Sequence, residues 1–447
     1  VMSDGRRMSI MNSYTASLNE KAKLYQHVTG TTQSKKPKKQ KDTKNIILFV
    51  GAIYGHMIDA IKLYQKSQGK NYRLAVIYDE NEKIDGITEQ QLDRIDIVIT
   101  CDTHDHVSIQ EALMPYRESM VAVSCRPEKY IPMLGRIIPN VPYLYAPSVD
   151  SLRWTTDKIV MRNRLESFDS SNNPRYAVIE KNSKAAIKEA VDAVGFPLIV
   201  KPSVLAASRL VSICYHQEEL DTTLKHIFKH LDSVHKKTGG SYEPRVLLEQ
   251  FLEGQMYSID AYVDRKGRIS LTPIAYIKTG KQIGFDDFFG YSQITPTQLK
   301  PESIEEANMA AASAIYALGL RNTSVHVELI RTEEGWKIIE AGPRMGGFRH
   351  MMYEHAYGMN HVMNDLLIRM GKKPIIPKKT KGYCVAMKFF AKKEGRLKAL
   401  TGIKKAKALK SCKRLYVNQK IGQMCKFAKH GGSSVFNIIL FNFELSR

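Results

Sequence analysis

Apolar residues gather in "NIILFV" from residue 45, pass through a turn with two glycines, and then space out as "GHMIDAIKLYQ". A continuous apolar run followed by 3.6-residue spacing predicts a buried strand (residues 45–51) leading into an amphipathic helix. The apolar runs "RLAVIYD", "DIVITCD" and "MVAVSC" follow, with helical patterns between them. Strand and helix in alternation predict an open, parallel α/β sheet over residues 45–146.

From residue 147 the pattern changes. "TTDKIVMRNRLES" reads as a capped basic helix, and "AVGFPLIVKPS" as a buried strand that ends on a lysine. "RVLLEQFLEGQMYSIDAYVDRKGRISLTPIAYI" gives strand, crossing and hairpin. After the helix "EEANMAAASAIYALGL" a second hairpin, "SVHVELIRTEEGWKIIEAGPR", closes the unit, which we bound at residues 147–377. Residues 378–447 read as short strands and turns in a lysine-rich C-terminal subdomain, as in "GYCVAMKFFAKKEGRLKAL" and "SSVFNIILFNFEL". Residues 1–44 lack apolar periodicity and end in "SKKPKKQKDTK", the pattern of a basic disordered tail.

Composition adds a boundary and a question. With 447 residues the chain can bury a large core, and no apolar run approaches a membrane span. Six cysteines without paired spacing fit a reducing, cytoplasmic setting. The formal charge is +22, and residues 372–420 hold 17 Lys/Arg against the single acid Glu394. Aromatic residues are not interleaved with these cations as stacking platforms would be, so a solvated surface is favoured over nucleic-acid binding. "VGAIYGH" carries Gly51 and Gly55 but not the full dinucleotide-binding pattern, and we read it as a tight strand–helix turn. "CDTHDH" places Cys101, His104 and His106 together without an evident fourth ligand, which reads as a loop.

The second hairpin carries the chemistry. Glu328 and Glu340 are equidistant from Glu334, with Gly335 available for a left-handed position, so a turn there sets them opposite each other. Period-two alternation turns both carboxylates to one face. Adjacent carboxylates repel unless a cation lies between them, and magnesium takes carboxylate oxygens while keeping waters and phosphates. Arg344, four residues on, offers a fork of donors to a phosphate. Lys158 opens the basic helix, Lys201 ends its strand, and "LLEQFLEG" sets an acid and backbone beside apolar side chains.

In this order, "DKIVMR", "PLIVKPS", "LLEQFLEG", "VHVEL" and "IIEAGPRMGG" resemble the ATP-grasp ligases, over roughly residues 45–447. The C-terminal stretch looks like that of the L-amino acid ligases. The resemblance implies an N-terminal parallel-sheet α/β domain, an ATP-grasp fold and a lid-like C-terminal subdomain. It also implies an enzyme that joins a carboxylate, such as an amino acid, to an amine through an acyl-phosphate, releasing ADP and phosphate. The implied cofactors are ATP and Mg²⁺, with Mn²⁺ as a substitute.

Carried over, the resemblance places Lys158, Lys201 and Ser208 on ATP phosphates. It sets Glu249 on the adenine amino group, with the backbone of Gln250 and Leu252 at the hinge. Glu328 and Glu340 become metal ligands, and Arg344 the residue that steadies the transferring phosphate. Gly346 and Gly347 would let substrate approach the backbone. Asp286 or Asp287 would meet an amino group, and Arg349 and His350 a carboxylate. Three positions depart from the family pattern: the loop "VLAASRLV" is poor in glycine, Met256 replaces a ribose-binding acid, and Gly342 replaces a metal-shell asparagine. The implied partners are small amino acid or other carboxylate and amine substrates, and a homodimer is compatible. A larger or protein-bound acceptor, and a non-catalytic nucleotide or nucleic-acid binder on the same scaffold, stay open.

Overall fold

The computed structural model describes residues 44–82, 89–202, 211–237, 245–285, 287, 289–428 and 431–445. The expected tail lies outside them except for Lys44, as do Ser208 and Asp286.

Strands β1 (Ile46–Val50), β2 (Arg73–Asp79), β3 (Ile97–Cys101) and β4 (Met120–Ser124) form a parallel sheet in the order β3-β2-β1-β4. All five residues of β1 are buried, which is why that strand reads as an unbroken apolar run. Gly51 then turns the chain into helix α1 (Gly55–Gln68) at φ 78°. A Cβ at Gly51 would lie 2.2 Å from the Tyr130 ring, so only glycine fits this turn.

Helix α2 (Lys158–Asp169) is capped by Asp157, whose carboxylate accepts from the amides of Ile159 at 2.9 Å and Val160 at 3.2 Å. The cap leaves Lys158 as the first helical residue. Beyond it, β5 (Tyr176–Ile179), β6 (Leu198–Pro202), β7 (Ser212–Cys214) and β8 (Val246–Gln250) form an antiparallel sheet in the order β5-β8-β6-β7.

The largest sheet takes in β9 (Gln255–Val263), β10 (Ile269–Leu271), β11 (Ala275–Thr279), β12 (Gly290–Thr295), β13 (Thr323–Thr332) and β14 (Gly335–Gly342). It continues into β15 (Tyr383–Phe389), β17 (Cys412–Val417) and β19 (Phe436–Asn442), and runs β14-β13-β9-β11-β12-β15-β19-β17. The strand pair β16 (Gly395–Arg396) and β18 (Met424–Cys425) stands apart as a small ribbon. Residue 377, where the sequence suggests a subdomain boundary, therefore falls between strands of one sheet: β12 pairs directly with β15.

One face of this sheet packs on helix α3 (Pro301–Ala317), whose alanines sit against Val325, Val327 and Ala341 in a single apolar cluster. Helices α4 (Arg349–Tyr357) and α5 (His361–Arg369) follow the second hairpin. Leu366 and Leu367 of α5 enter the core of the parallel sheet. Asp365 of α5 accepts from Ser124 Oγ at 2.8 Å, and Arg369 donates to the Val123 carbonyl at 3.2 Å. The C-terminal end of β4 is thereby held toward β13, whose Ser324 Oγ also donates to Asp365 at 2.6 Å.

Candidate active site

In the hairpin, Glu328 and Glu340 are direct cross-strand partners. The route to that pairing differs from simple arithmetic. The tight turn pairs Thr332 with Gly335, and Leu329 with Ile338, a register that would set Glu328 against Ile339. A bulge between Glu328 and Leu329 inserts one residue and brings Glu340 opposite instead. Gly335 takes the left-handed position at φ 102°, as expected.

The described residues expected for nucleotide, metal and phosphate all line one cavity of about 500 Å³: Lys158, Lys201, Glu249, Gln250, Leu252, Glu328, Glu340 and Arg344. Met256 lines it too. Lys158 Nζ lies 4.0 Å from Glu340. Glu249, buried at the end of β8, accepts from Arg162 Nε at 2.7 Å and from Lys201 Nζ. Burial alone would raise the Glu249 pKa, but the two cations outweigh it and bring it down to about 2. Lys201 is held the opposite way: burial lowers its pKa, and Glu249 opposes that. Both Glu249 oxygens therefore have cationic partners, and an adenine amino group there would share a carboxylate already engaged.

Arg162 is a residue that sequence reasoning missed. It lies one helical turn after Lys158 on α2 and is 1% exposed. Its guanidinium also donates to the carbonyls of Ile338 at 3.0 Å and Ile339 at 2.6 Å. One side chain thus ties the helix of Lys158, the strand of Glu249 and the strand of Glu340 together. The signal was the 3.6-residue spacing, which put Arg162 on the same face as Lys158.

Behind Glu328 lies a second missed group. His326 presents Nδ1 to Asp260 at 2.5 Å and Nε2 to Glu328 at 3.2 Å. Asp260 is fully buried and also accepts from His361 Nε2 and the Gly346 amide, each at 2.7 Å. Two carboxylates facing one ring suit the doubly protonated imidazolium. Burial lowers the His326 pKa, yet the two acids outweigh it and raise it overall. Burial raises the Glu328 pKa, while His326, Arg344 and Arg349 bring it down to about 2. Asp260 was readable only as a lone acid in the apolar run "YSIDAYV".

Paired carboxylates on adjacent strands, one of them steadied from behind by an imidazolium and both opening on a cavity lined by lysines, fit a magnesium ion with its waters and phosphate oxygens.

Arg344 donates to Glu128, from the segment after β4, through Nη2 at 2.8 Å and Nε at 3.2 Å. Sequence reasoning also missed Glu128. Among the described residues, the other expected substrate positions do not line the cavity. Asp287 accepts from Tyr291 Oη at 2.8 Å and the Phe289 amide at 3.1 Å, which commits it to its own turn. Arg349 is 1% exposed and donates to Gln293 Oε1 at 2.6 Å and to Ser258 Oγ. His350 stacks on His56 at 3.9 Å between ring centroids. A Cβ at Gly346 would meet His326 Nδ1 at 2.5 Å, whereas one at Gly347 would meet nothing. Gly346 thus answers to the protein's own packing, and Gly347 is the one open to a ligand. Met256 and Gly342 both line the cavity, so both departures lie at the site. In the loop "CDTHDH", Asp105 caps the helix His106–Leu113, and Cys101 is buried with its thiol pushed up to about 12, chiefly by burial.

Comparison with known proteins identifies the architecture. Residues 194–351 match the ATP-grasp domain family. The alanine–anticapsin ligase of Bacillus amyloliquefaciens is 28% identical over 223 residues, covering 47% of this chain and 45% of that protein. The crystal structure of an L-amino acid ligase from Bacillus licheniformis superposes with a TM-score of 0.71 at 16% identity, over 90% of this chain and 95% of that one. An N5-carboxyaminoimidazole synthetase from Staphylococcus aureus, solved with ADP, superposes at 0.64 with 13% identity, over 90% and 95%. The chain spans about half the length of the curated relatives it matches.

Proposed function

From an ATP-grasp fold that resembles the L-amino acid ligases, we propose that this chain is an ATP-dependent carboxylate–amine ligase acting on amino acids in the cytoplasm. The observation that carries the reading is the in-register Glu328–Glu340 pair in one cavity with Lys158, Lys201 and Arg344. The fold neighbour solved with ADP and the ligase relatives support it.

A carboxylate resists attack by an amine because it lacks a leaving group. Transfer of the γ-phosphate of ATP to the carboxylate oxygen gives an acyl-phosphate and ADP. The amine nitrogen then attacks the acyl carbon, the C–O bond to phosphate breaks, and the nitrogen loses a proton, leaving an amide and phosphate. In this reading Lys158 and Lys201 hold the phosphates, and Gln250 and Leu252 line the adenine slot. Glu328 and Glu340 hold magnesium, which when bound offsets charge on the phosphates. Arg344 meets the transferring phosphate, and its ion pair with Glu128 keeps the guanidinium aimed before substrate arrives. His326 fixes the Glu328 carboxylate and prevents it from turning away.

The test is release of ADP and phosphate from Mg-ATP in the presence of pooled amino acids, with mass detection of the amide. Glu340→Gln is expected to lower turnover by at least about 10²-fold. Release that continues unchanged in that variant, or the lack of any amide across the pool, rejects the reading.

A further inference from the structure

The C-terminal part carries a charge imbalance that the site does not use. Residues 395–443 hold 11 Lys/Arg and no Asp or Glu. The ribbon of β16 and β18 lies within this stretch, outside the large sheet. Its turn, residues 420–423, is held from three directions. The Lys420 amide donates to Gln423 Oε1 at 2.6 Å, the Gln423 amide to the Lys420 carbonyl at 3.0 Å, and the Gly422 amide to the Leu397 carbonyl at 2.8 Å. Gly422 takes φ 87° at the third position of the turn, where a positive φ favours glycine. The tip of the ribbon thus has a fixed shape.

That tip shows apolar side chains to water. Ile421 is 69% exposed at its corner, and Met424, which opens β18, is 52% exposed. The next residue, Cys425, is buried, so alternation gives the ribbon a covered face and an open one, with Met424 on the open face. Cations surround the pair. Arg396 is the cross-strand partner of Met424, and Lys398 follows the residue that bonds the turn. Lys420 opens the turn, and Lys426 lies two residues past Met424. All four are exposed, and among the described residues none has a carboxylate partner. Arg396 donates only to the Gly422 carbonyl, at 3.0 Å. Glu394, just before the ribbon, accepts from the Phe427 amide at 3.0 Å.

Single exposed apolar residues are ordinary on a protein surface. Lysines alone are accounted for as solvated charge, or as guards on a strand edge. Neither reading accounts for two aliphatic side chains on a rigid tip inside a ring of cations. An aliphatic group gains only from an apolar phase, and the cations gain from anions placed around it. A nucleic-acid backbone supplies the anions but no apolar phase, and the tip lacks aromatic platforms on which bases stack. A bilayer rich in anionic lipid supplies both within one interface. We propose that the ribbon docks this chain on an anionic membrane surface. Ile421 and Met424 enter the boundary between headgroups and acyl chains, while Arg396, Lys398, Lys420 and Lys426 meet lipid phosphates. The docking is peripheral: among the described residues no helix is long and apolar enough to cross a membrane. It stands independently of the ligase reading.

The test is flotation of the full chain with vesicles of phosphatidylcholine and phosphatidylserine in equal parts, against vesicles of phosphatidylcholine alone. The chain should float with the mixed vesicles only, and raised salt should release it by screening. Lys398→Gln combined with Lys420→Gln should weaken partitioning about 30-fold. Ile421→Ser combined with Met424→Ser keeps every charge and should weaken it by at least about the same factor. All four side chains are exposed, so both double variants should keep the wild-type denaturant midpoint. Ile421→Trp should shift its emission to the blue on the mixed vesicles as the ring leaves water. The basic residues 34–44 stay intact throughout, so adhesion through them alone would show as flotation that ignores the Ile421 and Met424 substitutions. That outcome overturns the proposal, as does the absence of flotation. Tighter binding to single-stranded RNA than to the mixed vesicles assigns the cations to nucleic acid and overturns it. A wild-type dimer that the Ile421 and Met424 substitutions dissolve assigns the tip to a second copy, with the same consequence.

Discussion

The nucleotide side of the site and its surroundings treat positive charge differently. At the nucleotide end, Lys201 and Arg162 share Glu249, and Lys158 lies 4.0 Å from Glu340. Elsewhere, Arg126, which follows β4 and donates to the Gly346 carbonyl at 3.1 Å, and Lys388 from β15 make no ion pair with any described residue. Lys388 is partly buried with its amine 5.5 Å from the Phe348 ring, and burial lowers its pKa, with Glu328 opposing. Cations paired within the protein build a rigid frame, because removing one strands its partner in a dry place. Cations left without a carboxylate partner contribute little to folding.

Substitutions in the two regions should therefore separate. Arg162→Met leaves Glu249 with one cation and is expected to cost about 3–5 kcal/mol of stability, read as a shift in the denaturant midpoint. Arg126→Met removes an unpaired charge, so its midpoint should stay where it is or rise; an equal loss in both variants would erase the contrast. A smaller effect is expected at Gly346→Ala. The new methyl meets a His326 ring that Asp260 holds in place, an overpacking cost of about 1–3 kcal/mol together with weaker turnover. Unchanged stability and turnover there would mean that the ring moves aside freely.

The smallest effect concerns acid. His56 titrates at about 4 in the folded chain against 6.5 unfolded, because burial and then Arg126 disfavour its charge. The unfolded chain therefore takes up the proton first, and stability falls as pH drops from 6.5 toward 4. His350, lowered further, adds to the same slope. His56→Phe keeps an aromatic face toward His350 and should make the decline shallower; an identical slope would remove His56 as a cause.

The parts of the site legible in the sequence were those whose side chains obey local periodicity. Lys158 follows its cap, Lys201 ends its strand, and the two glutamates alternate onto one face. The Glu328–Glu340 pairing came out right from a symmetric count about Glu334, yet the structure reaches it through a bulge that no residue in "VHVELI" announces. Arg162, Asp260 and Glu128 were hidden because their roles depend on partners 87, 66 and 216 residues away, respectively. For Asp287 and Arg349 the loop position suggested substrate, and tertiary contacts engaged them elsewhere. The N-terminal sheet was legible because burial on both faces leaves an uninterrupted apolar run.

The pairing of β12 with β15 bears on how this chain can be divided. A fragment that stops at residue 377 would strip β12 of its neighbour and bare a row of unpaired amides and carbonyls along an internal strand. Such an edge recruits other chains. The lysine-rich last stretch is thus a seal on the sheet, and cutting it away should yield a protein that sticks to itself before any question of catalysis arises.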